Sequence, residues 1–139
     1  MQDCLFCKII ARAVPAEVVY EDEAALGILD VHPRAVGHTM ILPKRHAETI
    51  LDVSSEDLGA IFSAVQRMTE LLKNRLHPDG FTIGVNHGKA SGQAIDHLHV
   101  HIIPRFRADG GTSLHGVVHP PEDKPMPPLD EVRRSIVQQ

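Results

Sequence analysis

Polar and apolar residues alternate strictly over one stretch of the chain, residues 97–103. The polar positions are all histidine, and the stretch reads His97-Leu98-His99-Val100-His101-Ile102-Ile103. A period of two is typical of a β-strand, because successive side chains leave a strand on opposite faces. The pattern predicts one strand with three imidazoles on one face, about 6.6 Å apart, and apolar side chains in a core. Three titratable rings are costly to bury without partners, so this strand is predicted to carry a functional site.

A helical pattern covers residues 54–76, where apolar residues recur at intervals of three and four. Ser54 and Asp57 resemble a capping box at its start, and Pro78 and Gly80 end it. The apolar stripe is predicted to be core and to carry no chemistry. Its members are Leu58, Ile61, Phe62, Val65, Met68, Leu72 and Leu76.

Shorter apolar runs predict four more strands, at residues 17–21, 24–30, 37–43 and 81–86. The first two resemble a hairpin. Pro43 ends the third strand or places it at an edge, because proline cannot donate a hydrogen bond to the ladder.

The two ends of the chain differ from this middle part. One or two helical turns are predicted directly after Cys7. Residues 108–139 contain two adjacent glycines and five prolines, and one short amphipathic helix is predicted near their end, from Leu129 to Ile136. The sequence therefore predicts one domain over residues 1–107 and an extension over residues 108–139 that packs on the same domain.

Length and composition are those of one globular domain, with 139 residues and a net charge of −4 when histidine is neutral. Domains that bind nucleic acid over a broad surface are usually basic, so no nucleic-acid partner is expected. No run approaches 18 apolar residues, so no membrane span is expected. Asp3 and Cys4 stand where a secretory signal would be basic, which predicts a cytosolic protein. In that compartment two cysteines are predicted to be metal ligands or redox groups rather than a disulfide.

Cys4-Leu5-Phe6-Cys7 has the spacing of a zinc half-site. Two other interpretations remain open: a pair of small buried hydrophobic residues, or a redox pair, although no strand precedes the motif. A metal site needs two further ligands. His46 and one histidine of the 97–103 stretch would complete a Cys₂His₂ tetrahedron, which is closed and therefore structural.

The histidines allow more than one chemistry. Together they could hold a catalytic metal, or they could act by covalent and acid–base catalysis. A neutral imidazole can attack phosphorus, because its pKa lies near neutrality. Residues 87–94, rich in small side chains, form either a phosphate cradle or a plain strand connection. Asp30, which ends an apolar run, is either a turn residue or an acceptor for a sugar hydroxyl.

Residues 97–103 match the signature of the histidine triad (HIT) superfamily, His-φ-His-φ-His-φ-φ, in which φ is apolar. Other segments resemble the Hint branch of that superfamily. These are Phe6-Cys7-Lys8-Ile9-Ile10, the strand ending in Asp30, Gly37-His38, Pro43-Lys44-Arg45-His46 and Gly92-Gln93. The similar positions extend from about residue 4 to residue 105.

The resemblance implies an α+β HIT-like fold over residues 1–107: an antiparallel sheet of about five strands with one long helix, followed by a short C-terminal helix. It implies a homodimer whose two sheets join into one. It also implies a hydrolase or transferase acting at the α-phosphate of nucleoside phosphoramidates, or of related nucleoside monophosphate esters and anhydrides, with a purine nucleotide as substrate.

The resemblance also implies roles for single residues. His99 would be the nucleophile and form a covalent nucleotidyl-histidine, with no cofactor needed for that step. His101 would bind the phosphate and exchange protons with the leaving group, and His38 would support the cluster. The implied substrate-binding residues are Asp30 for the ribose, Asn86, Gly92, Gln93 and Ala94 for the phosphate side, and Leu5, Phe6, Ile9 and Ile28 for the base.

Related nucleotidyltransferases of the superfamily bind zinc at positions that correspond to Cys4, Cys7, His46 and His97, which implies a structural zinc in this chain. Ala94 departs from the Hint pattern, which commonly has Ser or Thr there to hydrogen-bond the phosphate or leaving group. Two other functions fit the same motif: a Fhit-like dinucleoside polyphosphate hydrolase, and a non-catalytic regulatory protein that binds purine nucleotides.

Overall fold

The structure is a computed structural model that describes residues 3–137. Within these residues the chain forms three α-helices and one five-stranded sheet. The helices are α1 (Leu5–Ile10), α2 (Ser55–Leu76) and α3 (Leu129–Val137), and the strands are β1 (Val18–Glu21), β2 (Ala25–Leu29), β3 (Thr39–Pro43), β4 (Gly80–Gly84) and β5 (Val100–Arg105). The strand order is β1-β2-β3-β5-β4 and all neighbours are antiparallel. The predicted α+β fold is confirmed.

The two faces of the sheet bury separate apolar clusters. One face packs on α2, through residues that include Ile41, Val65 and Ile102. The opposite face packs on α1, through Phe6, Ile9 and neighbouring side chains of β2 and β3. Because side chains alternate along a strand, β2 and β3 contribute to both clusters.

Helix α2 begins and ends where the sequence predicts. The Ser54 hydroxyl accepts a hydrogen bond from the backbone N–H of Asp57 at 3.1 Å, which caps the first turn. His77 ends the helix in the left-handed conformation, with φ of 50°. The predicted core stripe is wrong at Phe62, whose side chain is 45% exposed. The helix buries only a narrower stripe, which includes Ile61 and Val65.

Each predicted strand is shorter in the structure, and two of the differences bear on the site. Strand β5 begins at Val100 and not at His97. The reason is that the N–H groups of His97 and Leu98 donate to the carbonyls of Ile95 and Ala47, outside the sheet ladder. Strand β4 ends at Gly84, so Asn86 lies two residues beyond it.

The chain divides into one compact unit that ends at Asp109 and a second that begins at Gly110, close to the predicted boundary. The second unit contains α3, which confirms the predicted C-terminal helix. Packing of this extension on the first unit stays a prediction. No helix in the described part of the chain is long and apolar enough to cross a membrane.

Candidate active site and metal centre

The histidine stretch keeps its alternation although only part of it is a strand. Leu98, Val100 and Ile102 are fully buried in the cluster that packs on α2. His99 and His101 lie on the opposite face, with ring centroids 4.9 Å apart. The predicted separation of polar and apolar faces is therefore present, and the rings form a cluster on the side of α1.

The side chain of His99 is held by a backbone group. Its Nδ1 lies 2.8 Å from the carbonyl oxygen of His97. Because a carbonyl only accepts, Nδ1 must donate, and the neutral ring keeps its lone pair on Nε2. Phe6 packs edge-on against the ring, with centroids 5.2 Å apart. A fixed imidazole with a bare Nε2 is the arrangement that a nucleophile needs.

His97 faces away from this centre, toward the N-terminal cysteines. Its Nε2 donates to the carbonyl oxygen of Pro43 at 2.9 Å, so Nδ1 is the atom without a proton. That Nδ1 lies 3.4 Å from the Sγ of Cys4 and 3.3 Å from the Nδ1 of His46. An imidazole anchored through one nitrogen by a carbonyl is the usual support for a metal-binding histidine.

The four-residue group of Cys4, Cys7, His46 and His97 fits a tetrahedral zinc site. The Sγ of Cys7 lies 3.3 Å from His46 Nδ1 and 3.5 Å from His97 Nδ1. Zn–N bonds of about 2.0–2.1 Å and Zn–S bonds of about 2.3 Å require N···N near 3.3 Å and N···S near 3.6 Å. The observed separations agree with both values. Residues as far apart in sequence as Cys4 and His97 therefore converge on one centre.

Electrostatics within this group disfavour two thiolates that have no counter-charge beside them. Burial, followed by the hydrogen bond to Cys4 and its charge, raises the pKa of the Cys7 thiol. Burial lowers the pKa of His97 and so favours the neutral, ligating ring. A divalent cation would offset the cost of two thiolates at this position.

A second group consists of Asp30, His38 and His101. His38 Nε2 lies 2.9 Å from His101 Nδ1, and a carboxylate oxygen of Asp30 lies 3.4 Å from the same Nε2. The loop from Asp30 to His38 holds them together, since the N–H of Asp30 donates to the carbonyl of His38. Asp30 thus lies against the histidines, and its predicted contact with a ribose stays a prediction.

Burial keeps the two histidines of this second group neutral. It lowers the pKa of His101 to about 4, assisted by the neighbouring His99 and His38 and opposed by Asp30. Burial also lowers the pKa of His38, again against the attraction of Asp30. Both rings are therefore uncharged near neutral pH.

The ligand geometry argues against the alternative that the three triad histidines together hold a catalytic metal. Among residues 3–137, the metal-capable groups are the two just described, and each includes a single triad histidine. His97 belongs to the cysteine group and His101 to the aspartate group, whereas His99 belongs to neither. The three triad histidines are therefore not placed as a common ligand set.

The predicted wall of the base pocket is largely brought together. Phe6, Ile9 and Ile28 are buried in one cluster on the face that carries His99. Leu5, on the same helix, is 42% exposed. These residues provide an apolar surface beside the histidines, and their contact with a base stays a prediction.

The loop before the triad is held by one amide side chain. Gln93 is buried; its Oε1 accepts from the N–H of Gly88, and its Nε2 donates to the carbonyls of Glu48 and Ile95. The amide of Gln93 thus makes its hydrogen bonds to backbone groups within the protein. Gly92 has a φ of +91°, which favours glycine, and Ala94 is exposed.

Asn86 is half-buried and follows β4, whose last residue Gly84 pairs with His101. Asn86 therefore lies just beyond the end of a strand that neighbours the one carrying His101. Its predicted role, like those of Gly92, Gln93 and Ala94, stays a prediction.

Sequence reasoning missed the backbone groups that set up the site. The carbonyls of Pro43 and His97 fix two imidazoles, and the N–H of Arg34 donates to Nδ1 of His38 at 3.1 Å. Every residue has a backbone carbonyl and every residue except proline has an N–H, so residue type in the sequence does not mark these groups.

Comparison with known proteins identifies the family of the chain. The model of the HIT domain family matches residues 11–108. An uncharacterized HIT-like protein of Methanocaldococcus jannaschii is 41% identical over 133 residues, which are 96% of this chain and 98% of that protein. An adenylylsulfatase of Arabidopsis thaliana is 40% identical over 107 residues, which are 77% of this chain and 54% of the plant protein.

The fold is also shared with a zinc-bound histidine triad family protein from Mycobacterium smegmatis, known from its crystal structure. The TM-score is 0.74 at 38% identity, over 78% of each chain. The triad, the fold and these similarities agree, and the chain belongs to the HIT family.

Proposed function

We propose that the protein is a hydrolase that acts at the α-phosphate of nucleoside phosphoramidates or of related nucleoside monophosphate esters and anhydrides. His99 is the nucleophile. The observation that carries the proposal is the hydrogen bond from His99 Nδ1 to the His97 carbonyl, which leaves Nε2 bare beside His101. The Arabidopsis relative is an adenylylsulfatase, and its name supports the anhydride class of substrate.

The reaction has two displacements at phosphorus. In the first, Nε2 of His99 forms a bond to the α-phosphorus while the bond to the leaving group breaks and that group takes up a proton from solvent, giving a nucleotidyl-histidine. In the second, water attacks phosphorus and releases a proton to solvent, the P–N bond breaks, and the nucleoside monophosphate leaves. Such transfers depend chiefly on positioning and on neutralising the equatorial oxygens. Neutral histidine N–H groups and backbone N–H groups supply that neutralisation, so the chemical step needs no cofactor.

Trapping of the intermediate tests the proposal. Protein incubated with an adenosine phosphoramidate and quenched in acid-free denaturant should carry one nucleotidyl adduct on His99 by mass spectrometry. His99→Ala should lose the adduct and nearly all turnover. His77→Asn is the matched control, because asparagine tolerates the left-handed conformation at this position outside the cluster. Full turnover by His99→Ala would overturn the proposal.

A substrate panel separates the remaining alternatives. Faster turnover of a diadenosine polyphosphate than of the phosphoramidate would identify a Fhit-like dinucleoside polyphosphate hydrolase. Tight binding of purine nucleotides without turnover of either substrate would identify a regulatory binding protein.

We infer that Cys4, Cys7, His46 and His97 hold one structural zinc ion. The separations of their ligand atoms support this, and so does the zinc-bound Mycobacterium relative. Zinc at this position would join α1 to the histidine stretch, and it takes no part in the displacements. Because both thiols must stay reduced to bind zinc, the assignment also supports the cytosol as the compartment.

We also infer a homodimer built through β4 and α2. β4 is at the end of the sheet order and presents an unpaired edge. Beside it, Phe62 of α2 and Ile83 of β4 line the same surface hollow and are 45% and 36% exposed. An unpaired edge flanked by exposed apolar side chains supports pairing with β4 of a second copy.

A further inference from the structure

The orientation of each ring in the histidine cluster follows from the backbone group behind it. A carbonyl oxygen only accepts, and an N–H only donates, so each backbone partner decides which ring nitrogen carries the proton. His97 and His99 face carbonyls, of Pro43 and His97 respectively. His38 is different, because it faces the N–H of Arg34.

The N–H of Arg34 fixes the proton on His38. It points at Nδ1 of His38 from 3.1 Å, so Nδ1 must be the bare nitrogen. The side chain of His38 is 4% exposed, and burial lowers its pKa, so the ring is neutral and has one proton. That proton must be on Nε2. The loop conformation keeps this arrangement, since the N–H of His38 donates to the carbonyl of Ala35.

The same proton then determines which ring nitrogen of His101 is protonated. Nε2 of His38 lies 2.9 Å from Nδ1 of His101, and the neutral pair can form this bond only if Nδ1 of His101 accepts. The single proton of His101 is therefore on Nε2. The opposite assignment would place a proton on Nδ1 of His38, directly against the N–H of Arg34. Asp30 lies beside the shared proton, 3.4 Å from Nε2 of His38 and 3.8 Å from Nδ1 of His101.

The same reasoning separates the two groups of possible metal ligands. Nδ1 of His97 is bare and available to a cation. Nε2 of His38 carries a proton, and a cation there would have to displace it while Nδ1 still accepts from Arg34. The group of Asp30, His38 and His101 is therefore a hydrogen-bonded relay and not a second metal site.

We propose that the backbone N–H of Arg34, acting through His38, makes His101 a fixed neutral hydrogen-bond donor whose Nε2–H points to the reacting phosphate. Arg34 and His38 are positioning residues, and the role of His101 rests on the proposed function. The outcome is two adjacent rings with opposite character. His99 presents a lone pair on Nε2, and His101 presents an N–H on the same ring position, as attack on a phosphate requires.

Tautomers can be measured without any substrate. In ¹⁵N-labelled full-length protein, long-range ¹H–¹⁵N spectra distinguish a protonated from a bare ring nitrogen. We expect protonated Nε2 and bare Nδ1 in both His38 and His101. A proton on Nδ1 of His101 would overturn the proposal, even if His99 forms the nucleotidyl adduct. The expected tautomers without any adduct would overturn only the proposed function.

Substitutions of Arg34 then test whether its backbone N–H sets the tautomer of His101. Arg34→Pro removes the N–H, and we expect a mixture of His101 tautomers and a loss in kcat of about tenfold or more, as for loss of one donor to developing charge. Arg34→Ala removes the side chain and keeps the N–H, so His101 should retain its tautomer. An unchanged His101 tautomer in Arg34→Pro would contradict the proposal.

If Arg34→Pro does not fold, two substitutions of His38 test the same link between Arg34 and His101. Gln in place of His38 can accept from Arg34 through Oε1 and donate to His101 through Nε2, whereas Leu can do neither. His38→Gln should keep the proton of His101 on Nε2 and should lower kcat less than His38→Leu does, with little difference in KM. Equal tautomer mixtures and equal kcat in the two variants would contradict the proposal.

Discussion

At the scale of single residues, burial of neutral imidazoles makes stability depend on pH. Burial lowers the pKa of His101 from 6.5 to about 4, so the folded state binds a proton less readily than the unfolded state does. The resulting stability is fully present above about pH 6.5 and is lost as the pH falls toward 4. The difference in pKa corresponds to about 3 kcal/mol in the free energy of unfolding.

Urea unfolding at a series of pH values measures this contribution. His101→Asn cannot titrate, so its free energy of unfolding should fall less between pH 6.5 and pH 4 than that of the unaltered protein. His38 contributes in the same direction, because burial lowers its pKa as well, and it remains in the variant. Parallel pH dependence in the two proteins would show that His101 is not buried in its neutral form.

Single residues also show what a sequence can reveal about the site. The triad, Cys4 and Cys7 were recognisable from residue type and spacing. Residue type and spacing left open which triad histidine would join the cysteines; the resemblance implied His97, and in three dimensions its Nδ1 lies 3.4 Å from the Sγ of Cys4. Gln93 resembles a substrate-binding position, yet its amide cross-links backbone segments. Side-chain chemistry and the face of a strand are readable from sequence, whereas the partner that a side chain meets is not.

At the scale of elements, the start of α2 offers a clean test of a local signal. The Ser54 hydroxyl accepts from the N–H of Asp57, whereas the neighbouring Ser55 is the first helical residue. Ser54→Ala should lower the free energy of unfolding by about 1 kcal/mol, because a helix donor loses its partner. Ser55→Ala, the matched control, should have little effect. Equal losses from the two substitutions, measured by denaturant unfolding, would contradict the role of the cap.

Elements were predictable where local sequence decides them. The period of α2 predicted the helix, the Ser54 cap marked its start, and Pro78 with Gly80 marked its end. The start of β5 was not predictable, because His97 and Leu98 have the alternation of a strand but donate to Ile95 and Ala47 outside the ladder. Phe62 was misplaced for a related reason: periodicity identifies an apolar face, but it does not say which part of that face this chain covers.

At the scale of the whole molecule, zinc should join the N-terminal segment to the triad. We expect about one zinc per chain by elemental analysis. The double variant Cys4→Ser and Cys7→Ser should lose it, whereas Asp30→Asn, in the other histidine group, should retain it. Free zinc at 100 times its Kd would stabilise the fold by about 2.7 kcal/mol, so a chelator should lower Tm only in proteins that keep both cysteines. Full zinc content in the double variant would contradict the assignment.

At the level of assembly, the proposed dimer would give Phe62 a role that the monomer does not. Phe62 and Ile83 stay exposed beside the unpaired edge of β4, where a second copy would bury them.

Phe62→Glu combined with Ile83→Glu places like charges across the twofold axis and should turn the dimer into a monomer in light-scattering measurements. Leu51→Glu is the matched control, since it places an acid at a residue that is 80% exposed and lies outside β4 and α2. If the double variant is still a dimer, the interface lies elsewhere. If the unaltered protein is a monomer, the proposed interface does not exist. Because β4 pairs with β5, which carries His101, loss of the dimer should also reduce turnover if the joined sheet keeps the histidine strand rigid.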